Sequence, residues 1–290
     1  MPDLALQEVP LAAADAPPLA WWPGAPSLVD PARRAAEVIS GLAATDAAGA
    51  RRLAAHIVAG HALHRLALDP GRIWLGLALA RDGRLRVSPG GAVSDRLLAI
   101  GTDGHAGLIR PDGITPDDAG FGLAGAEGGW LDAAIAGHTL PAPALAAGIE
   151  PLRQLLVLAT GTGIVTGFLA AARRFLVTRA RPWYGTGIDR AADDPHVLRV
   201  FGRHIAQVHA AGELLADAAA AVADGAPDAL DRIAAARLFV EEGGPALIST
   251  TIETLGAPAT DRSHGFDAYW RDLATLTATE PYPVPSSRRL

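Results

Sequence analysis

The sequence predicts a mainly α-helical protein carrying one small β-unit, and three observations predict it. Half of the 290 residues are hydrophobic while aromatics make up only 5%. Alanine, leucine and valine therefore supply most of the apolar content, and alanine and leucine are strong helix formers. Residues 71–142 break that pattern with short apolar runs between glycine-, aspartate- and proline-bearing turns, which is how β-hairpins read. From residue 143 the long helical runs return. The predicted organisation is an N-terminal arm and reduced helical part over 1–70, a small antiparallel β domain over 71–142, and a C-terminal helical bundle over 143–290.

Residues 1–28 are rich in proline and alanine and read as an extended arm, whose paired Trp21 and Trp22 need a groove to cover them. Asp30 is placed to cap a helix with Pro31 in its first position. Asp46 is placed to open a second helix, AAGARRLAAHIVAGHALHRLAL, which stops before Asp69-Pro70. Next come GRIWLGLALARDGRLRVSPGG, DRLLAIG, HAGLIRP and WLDAAIAGHTLP, with Arg81-Asp82-Gly83-Arg84 the clearest hairpin turn. Helices are predicted at about 150–180, 194–223, 228–254 and 264–277. Asp194-Pro195 reads as an N-cap followed by an N1 proline, and Gly225-Ala226-Pro227-Asp228 as the turn between two long helices.

The formal net charge of −6 gives no support to nucleic acid or an anionic membrane surface as the main partner. With no cysteine in the chain, disulfides, thiolate metal sites and cysteine nucleophiles are excluded. His56, His61 and His64 share one predicted helix without a nearby carboxylate, so no metal site is assigned. The N-terminus lacks the basic start of a secretory signal, and a cytoplasmic protein is expected.

Residues 155–174, LLVLATGTGIVTGFLAAARR, admit three readings. A dinucleotide-binding turn needs G-x-G-x-x-G after a strand and an acidic residue about 20 positions on. Here Gly161, Gly163 and Gly167 give G-x-G-x-x-x-G, and the next acid is Asp189. A membrane span needs about 20 apolar residues, but Thr160, Thr162 and Thr166 interrupt this one. A buried central helix, whose small residues admit close neighbours, satisfies the pattern best.

From this stretch onward the sequence resembles the acyl-CoA dehydrogenase superfamily, in particular the C-terminal domain shared with two-component flavin monooxygenases. Gly163-Ile164, Gly167 and Ala171-Ala172, leading to Arg179, match the family's G-I-x-x-G-x-x-x-A-A helix and its following arginine. DDPHVLRVFGRHIAQVHAAGELLADAAAAV, ARLFVEEGGPALISTTIETLGAPAT and HGFDAYWRDLATLTATEP resemble the later bundle helices. GRLRVSPGGAVSDRLLAIG and FGLAGAEGGWLDAAIAGHTLP resemble two segments of the family's β-domain. The resemblance covers roughly 72–281 and implies an acyl-CoA dehydrogenase-like fold with a C-terminal four-helix bundle.

The resemblance also implies a flavin, FAD or FMN, and an acyl-CoA or small hydrophobic substrate. It implies cofactor contacts at Arg179, Trp183, Glu253, Gly256 and Arg271. Arg179 stands where the family's arginine bonds the cofactor diphosphate, although a solvated helix-end arginine reads the same way. Glu253 and Ala257 depart from the family's Q-x-x-G-G, and a carboxylate beside a diphosphate is repulsive unless paired. Glu280 lies at the offset from Arg271-Asp272 where straight-chain dehydrogenases keep their catalytic base. A glutamate raised in pKa by apolar burial suits that role; the other reading is an exposed acid near the terminus. The family's T-E-x-x-x-G-S-D stretch has no counterpart here. Two functions follow: a flavin-dependent oxidoreductase assembled as a homodimer or homotetramer, or a non-catalytic partner subunit or degenerate scaffold of a longer homologue.

Overall fold

The computed structural model describes residues 31–280, apart from 67, 69–72, 82, 89–90, 117–127, 133–139 and 143. The expectations for the arm with Trp21 and Trp22, the Asp30 cap, the Asp69-Pro70 stop and the FGLAGAE stretch lie outside the described residues.

Helix α1 (Pro31–Ala43) buries Ala32, Ala35, Ala36, Ile39 and Ala43, a stripe spaced by three and four residues. Helix α2 (Ala47–Arg65) starts as the sequence predicts: the Asp46 carboxylate accepts the Gly49 N–H at 2.7 Å and caps the helix.

Among the described residues seven strands then form one sheet in the order β5-β6-β2-β1-β3-β4-β7. They are β1 (Leu75–Arg81), β2 (Arg84–Val87), β3 (Arg96–Ile100), β4 (His105–Ile109), β5 (Thr115–Pro116), β6 (Gly129–Leu131) and β7 (Leu140–Pro141). The predicted hairpin is present, with Arg81 opposite Arg84 and Gly83 at φ +77°, a backbone angle that favours glycine. The sheet is mixed rather than wholly antiparallel, because β1 and β3 run parallel. Its cause is local. The Asp95 carboxylate accepts the Trp74 N–H at 2.6 Å and the Asp95 N–H donates to the Trp74 carbonyl at 2.8 Å. These bonds set the start of β3 beside the start of β1. The sheet is fastened to α2 by His56, whose Nδ1 accepts the Leu75 N–H at 3.0 Å while its ring stacks on Trp74. Burial holds this imidazole below its ordinary pKa, which keeps the accepting nitrogen free of a proton.

Among the described residues four α-helices follow: α3 (Leu145–Thr178), α4 (Pro195–Ala223), α5 (Ala229–Leu255) and α6 (Phe266–Thr279), each within a few residues of its predicted span. Asp194 caps α4 through the His196 N–H at 2.8 Å, with Pro195 in the first turn. Gly225, at φ +61°, turns the chain from α4 into α5.

The 34-residue α3 is the axis of the molecule, with α1, α2, α4, α5 and α6 packed around it. It is long and apolar enough to cross a membrane, yet 83% of its most apolar window is buried inside this one chain. Two of its threonines are satisfied internally, since Thr160 and Thr166 return hydrogen bonds of 2.8 Å to Leu156 and Thr162 carbonyls, while the buried Thr162 hydroxyl has no partner among the described residues. Burial of this helix therefore needs no second subunit. Gly163 and Gly167 face the end of α1: a Cβ on Gly163 would lie 2.7 Å from Ala43 Cβ, and one on Gly167 2.7 Å from Ala44 Cα. Gly161 faces α5 and α6 instead, with Val240 3.3 Å from an added Cβ. The glycines are packing positions, and the α3 backbone continues through them as helix.

Candidate functional site: a cationic cleft and a buried ionic hub

Two places gather the residues singled out by the sequence. The first is a cleft of about 530 Å³ between the start of α4, the end of α5 and the connection that follows α3. Trp183 and Glu253 both line it, joined by Arg199 and Arg203 one turn apart on α4, His196, and Thr250 and Thr254 on α5. Trp183 is 57% exposed, a large apolar ring left facing solvent. The N-terminal end of α4 opens here, and the free amides of a first turn favour an anion. Two guanidiniums add forked donors suited to phosphate. Two carboxylates oppose them: Asp194 is committed to the helix cap, and Glu253 is exposed on the wall. The donor set fits a phosphate-bearing ligand, with Glu253 the residue that fits least.

Gly256 ends α5 just beyond this wall at φ +80°. Arg179 is the exposed C-terminal cap of α3, at the head of the connection that carries Trp183. Arg271 does not join them. It is exposed on α6 and paired with Asp267 at 3.2 Å rather than lining the cleft. Arg199, Arg203, His196 and Thr250 were missed by sequence reasoning; the His196, Arg199, Arg203 spacing of three and four residues behind Asp194-Pro195 was the available signal.

The second place holds Glu280, and it corrects an expectation. Glu280 is neither exposed nor in an apolar pocket: it is buried where α2, α3, α5 and α6 meet. One carboxylate oxygen accepts from Arg51 of α2, and the other accepts from Arg153 Nη1 of α3 at 2.6 Å. Its carbonyl accepts from Arg237 Nη2 of α5 at 2.9 Å. Arg237, fully buried, also bonds Gln154 Oε1 and reaches Glu241 at 2.7 Å. Arg153 is held by Glu150 through bonds of 2.7 and 2.8 Å. Three arginines thus meet three glutamates. Burial is the largest single influence on Glu280 and pushes its pKa up, but Arg51, Arg153 and Arg237 together outweigh it, so the pKa ends below the ordinary carboxylate range. A carboxylate held ionised with both oxygens engaged lacks the raised pKa expected of a catalytic base.

Asp272, beside Arg271, shows the opposite shift. Partial burial, offset by Arg271 and reinforced by Asp46, raises its pKa to about 6. The folded state therefore prefers the protonated acid. That contribution is fully present below the unfolded value of about 3.9 and is lost as pH rises through about 6. Asp272→Asn is expected to stabilise the protein by about 1 kcal/mol at pH 8, after solvent screening, with no gain at pH 4. Urea denaturation at the two pH values checks this; an equal change at both would remove the assignment.

An apolar axial helix, a bundle around it and a small mixed sheet at one side define an acyl-CoA dehydrogenase-like fold. Residues 155–280 match the family described as acyl-CoA dehydrogenase, C-terminal domain. The dibenzothiophene monooxygenase of Mycolicibacterium goodii is 32% identical over 142 residues, 45% of this chain and 34% of that one, so the match spans about a third of that relative's length. An FMNH2-dependent monooxygenase described as probable, from Pseudomonas putida, is 29% identical over 41% of this chain and 33% of its own. Among solved structures, the dibenzothiophene monooxygenase of Paenibacillus sp. A11-2, with FMN and indole, superposes with a TM-score of 0.71 at 22% identity, covering 87% of this chain and 80% of that one. The butyryl-CoA dehydrogenase of Megasphaera elsdenii gives 0.65 at 15% identity, covering 84% and 77%. The chain thus has the fold of this superfamily, and its bundle carries the superfamily's C-terminal domain signature.

Proposed function

We propose that the chain is a flavin-dependent oxidoreductase module whose cleft holds the phosphate-bearing end of FMN or FAD. The observation that carries the reading is the convergence of Trp183 with Arg199, Arg203, His196 and the N-terminal end of α4 in one cleft. The guanidiniums bond the phosphate, Thr250 offers a hydroxyl, and Trp183 covers an apolar or aromatic portion of the ligand. Arg179, at the end of α3 and outside the cleft lining, is the candidate for one further charge-assisted bond, worth roughly 1.5–3 kcal/mol. Bound flavin supplies electron transfer to or from the substrate. A small hydrophobic substrate is favoured over an acyl-CoA thioester, because Glu280 is tied up in the ionic hub and the relatives named above act on or bind dibenzothiophene and indole. The acidic, cysteine-free chain suits the cytoplasm, assembled as a homodimer or homotetramer.

A second reading, a non-catalytic partner subunit of a longer homologue, is favoured by one residue: the Glu253 carboxylate on the cleft wall. Binding by mass action separates the two. FMN or FAD is expected to raise the melting temperature of the wild type, and Arg199→Ala with Arg203→Ala to abolish the rise. Glu253→Gln, which removes the opposing charge, is expected to tighten flavin binding about tenfold. If neither flavin shifts the melting point of the wild type or of E253Q, the enzyme reading fails for this chain and the partner reading stands.

A further inference from the structure

At the opposite end of the bundle lies a recess of about 340 Å³ that the flavin cleft does not share. It is enclosed by the start of α1, the end of α2, the start of α3 and the turn from α4 to α5. The cleft uses α4 at Asp194–Arg203 and the recess begins at Val222. At 1.5 Å per residue the two are separated by about 30 Å along that helix.

The chemistry of the recess is one-sided. Pro31, Pro151, Leu152, Val222 and Ala229 give it apolar walls, and among the described residues no acidic side chain lines it. Its polar groups are His61 and Arg65, one turn apart on α2. Arg65 packs over Gly148, where an added Cβ would lie 3.0 Å from Nη2 and 3.2 Å from Nε. A side chain at 148 would displace the guanidinium from this wall. Among the described residues Arg65 forms no ion pair. His61 Nδ1 is buried without a hydrogen-bond partner, and an orphaned polar atom of this kind in a native fold calls for a ligand or water. Burial, with Arg65 and His64 nearby, lowers the His61 pKa to about 4, so at neutral pH it is an uncharged hydrogen-bonding group beside a permanent cation.

We propose that this recess binds a small organic monoanion with an apolar body, its head on Arg65 and His61 and its body against Pro151, Leu152, Val222 and Ala229. The guanidinium supplies charge-assisted bonds, the uncharged His61 ring adds a polar edge to the same wall, and the apolar walls select against small hydrated anions. The volume lies in the range of small-molecule sites.

Equilibrium dialysis with octanoate, 1-octanol and acetate tests the assignment. Octanoate should bind saturably at one site per chain, with 1-octanol and acetate each weaker by about tenfold or more. Arg65→Gln, at an exposed helix end, should weaken octanoate about tenfold and leave the melting temperature unchanged. Ala229→Trp, which fills the recess, should abolish binding; circular dichroism confirms that it folds. No octanoate binding to the wild type, equal binding of 1-octanol, or undiminished binding to R65Q would each overturn the proposal. Flavin-induced stabilisation serves as the control, since a recess that fails leaves the cleft reading intact.

Discussion

Glu280→Gln is expected to destabilise the protein by about 3 kcal/mol at pH 7, because removing one partner from a buried ion pair leaves the other charges uncompensated. Arg51 and Arg153 would then face an amide, one side of which donates where an acceptor is required. In a chain of this size that loss lowers the melting temperature by on the order of 10 °C. The sign with pH is determined by the direction of the shift. The folded Glu280 pKa lies below the unfolded one, so its stabilisation is present above the unfolded value and fades as pH falls through the folded value. The gap between wild type and E280Q should therefore be full at pH 7 and close below about pH 4. Thermal melts across that range check it. A variant as stable as the wild type at pH 7 would show that the hub contributes no stability.

The second large effect is expected at α3. Gly163→Val should cost about 3 kcal/mol and Gly167→Ala about 2 kcal/mol through overpacking. A Cβ at either site would run into the Ser40 or Ala44 carbonyl of the α1 end, a backbone obstacle that no rotamer change relieves. Gly161→Ala is the internal control. Its Cβ would meet only side-chain atoms of Val240, Leu276 and Leu273 at 3.3–3.7 Å, so it should stay within about 1 kcal/mol of the wild type. Chemical denaturation of the three variants gives the ranking. Equal costs at 161 and 167 would contradict the α1 contact.

The bundle was legible because its signals are local. Asp46 and Asp194 precede their helices as caps and accept the expected N–H groups. Gly83 and Gly225 sit at turns with positive φ. The parallel pairing of β1 with β3 was not legible. It depends on two hydrogen bonds between Trp74 and Asp95, 21 residues apart, that no periodicity encodes. The Glu280 hub was hidden for the same reason on a larger scale. Glu150 with Arg153 and Gln154, and Arg237 with Glu241, stand at helical neighbour spacings that can be read. Their convergence with Arg51 and Glu280 exists only once four helices have packed. Reading Glu280 by its offset from Arg271 located the residue but not its surroundings, and the surroundings decide its protonation. The cleft lay between these cases, since Trp183 and Glu253 came from the family resemblance while Arg199 and Arg203 needed the fold.

A fluorescence titration tests the central claim, that the cleft binds flavin, most directly. Trp183 is an exposed ring on the cleft wall, and a bound isoalloxazine or adenine nearby should quench it. FMN or FAD added to the wild type should quench tryptophan emission saturably, and Trp183→Phe should remove most of the quench while flavin still raises the melting temperature. The absence of any saturable quench, together with an unchanged melting temperature in both proteins, would contradict a flavin site in this chain.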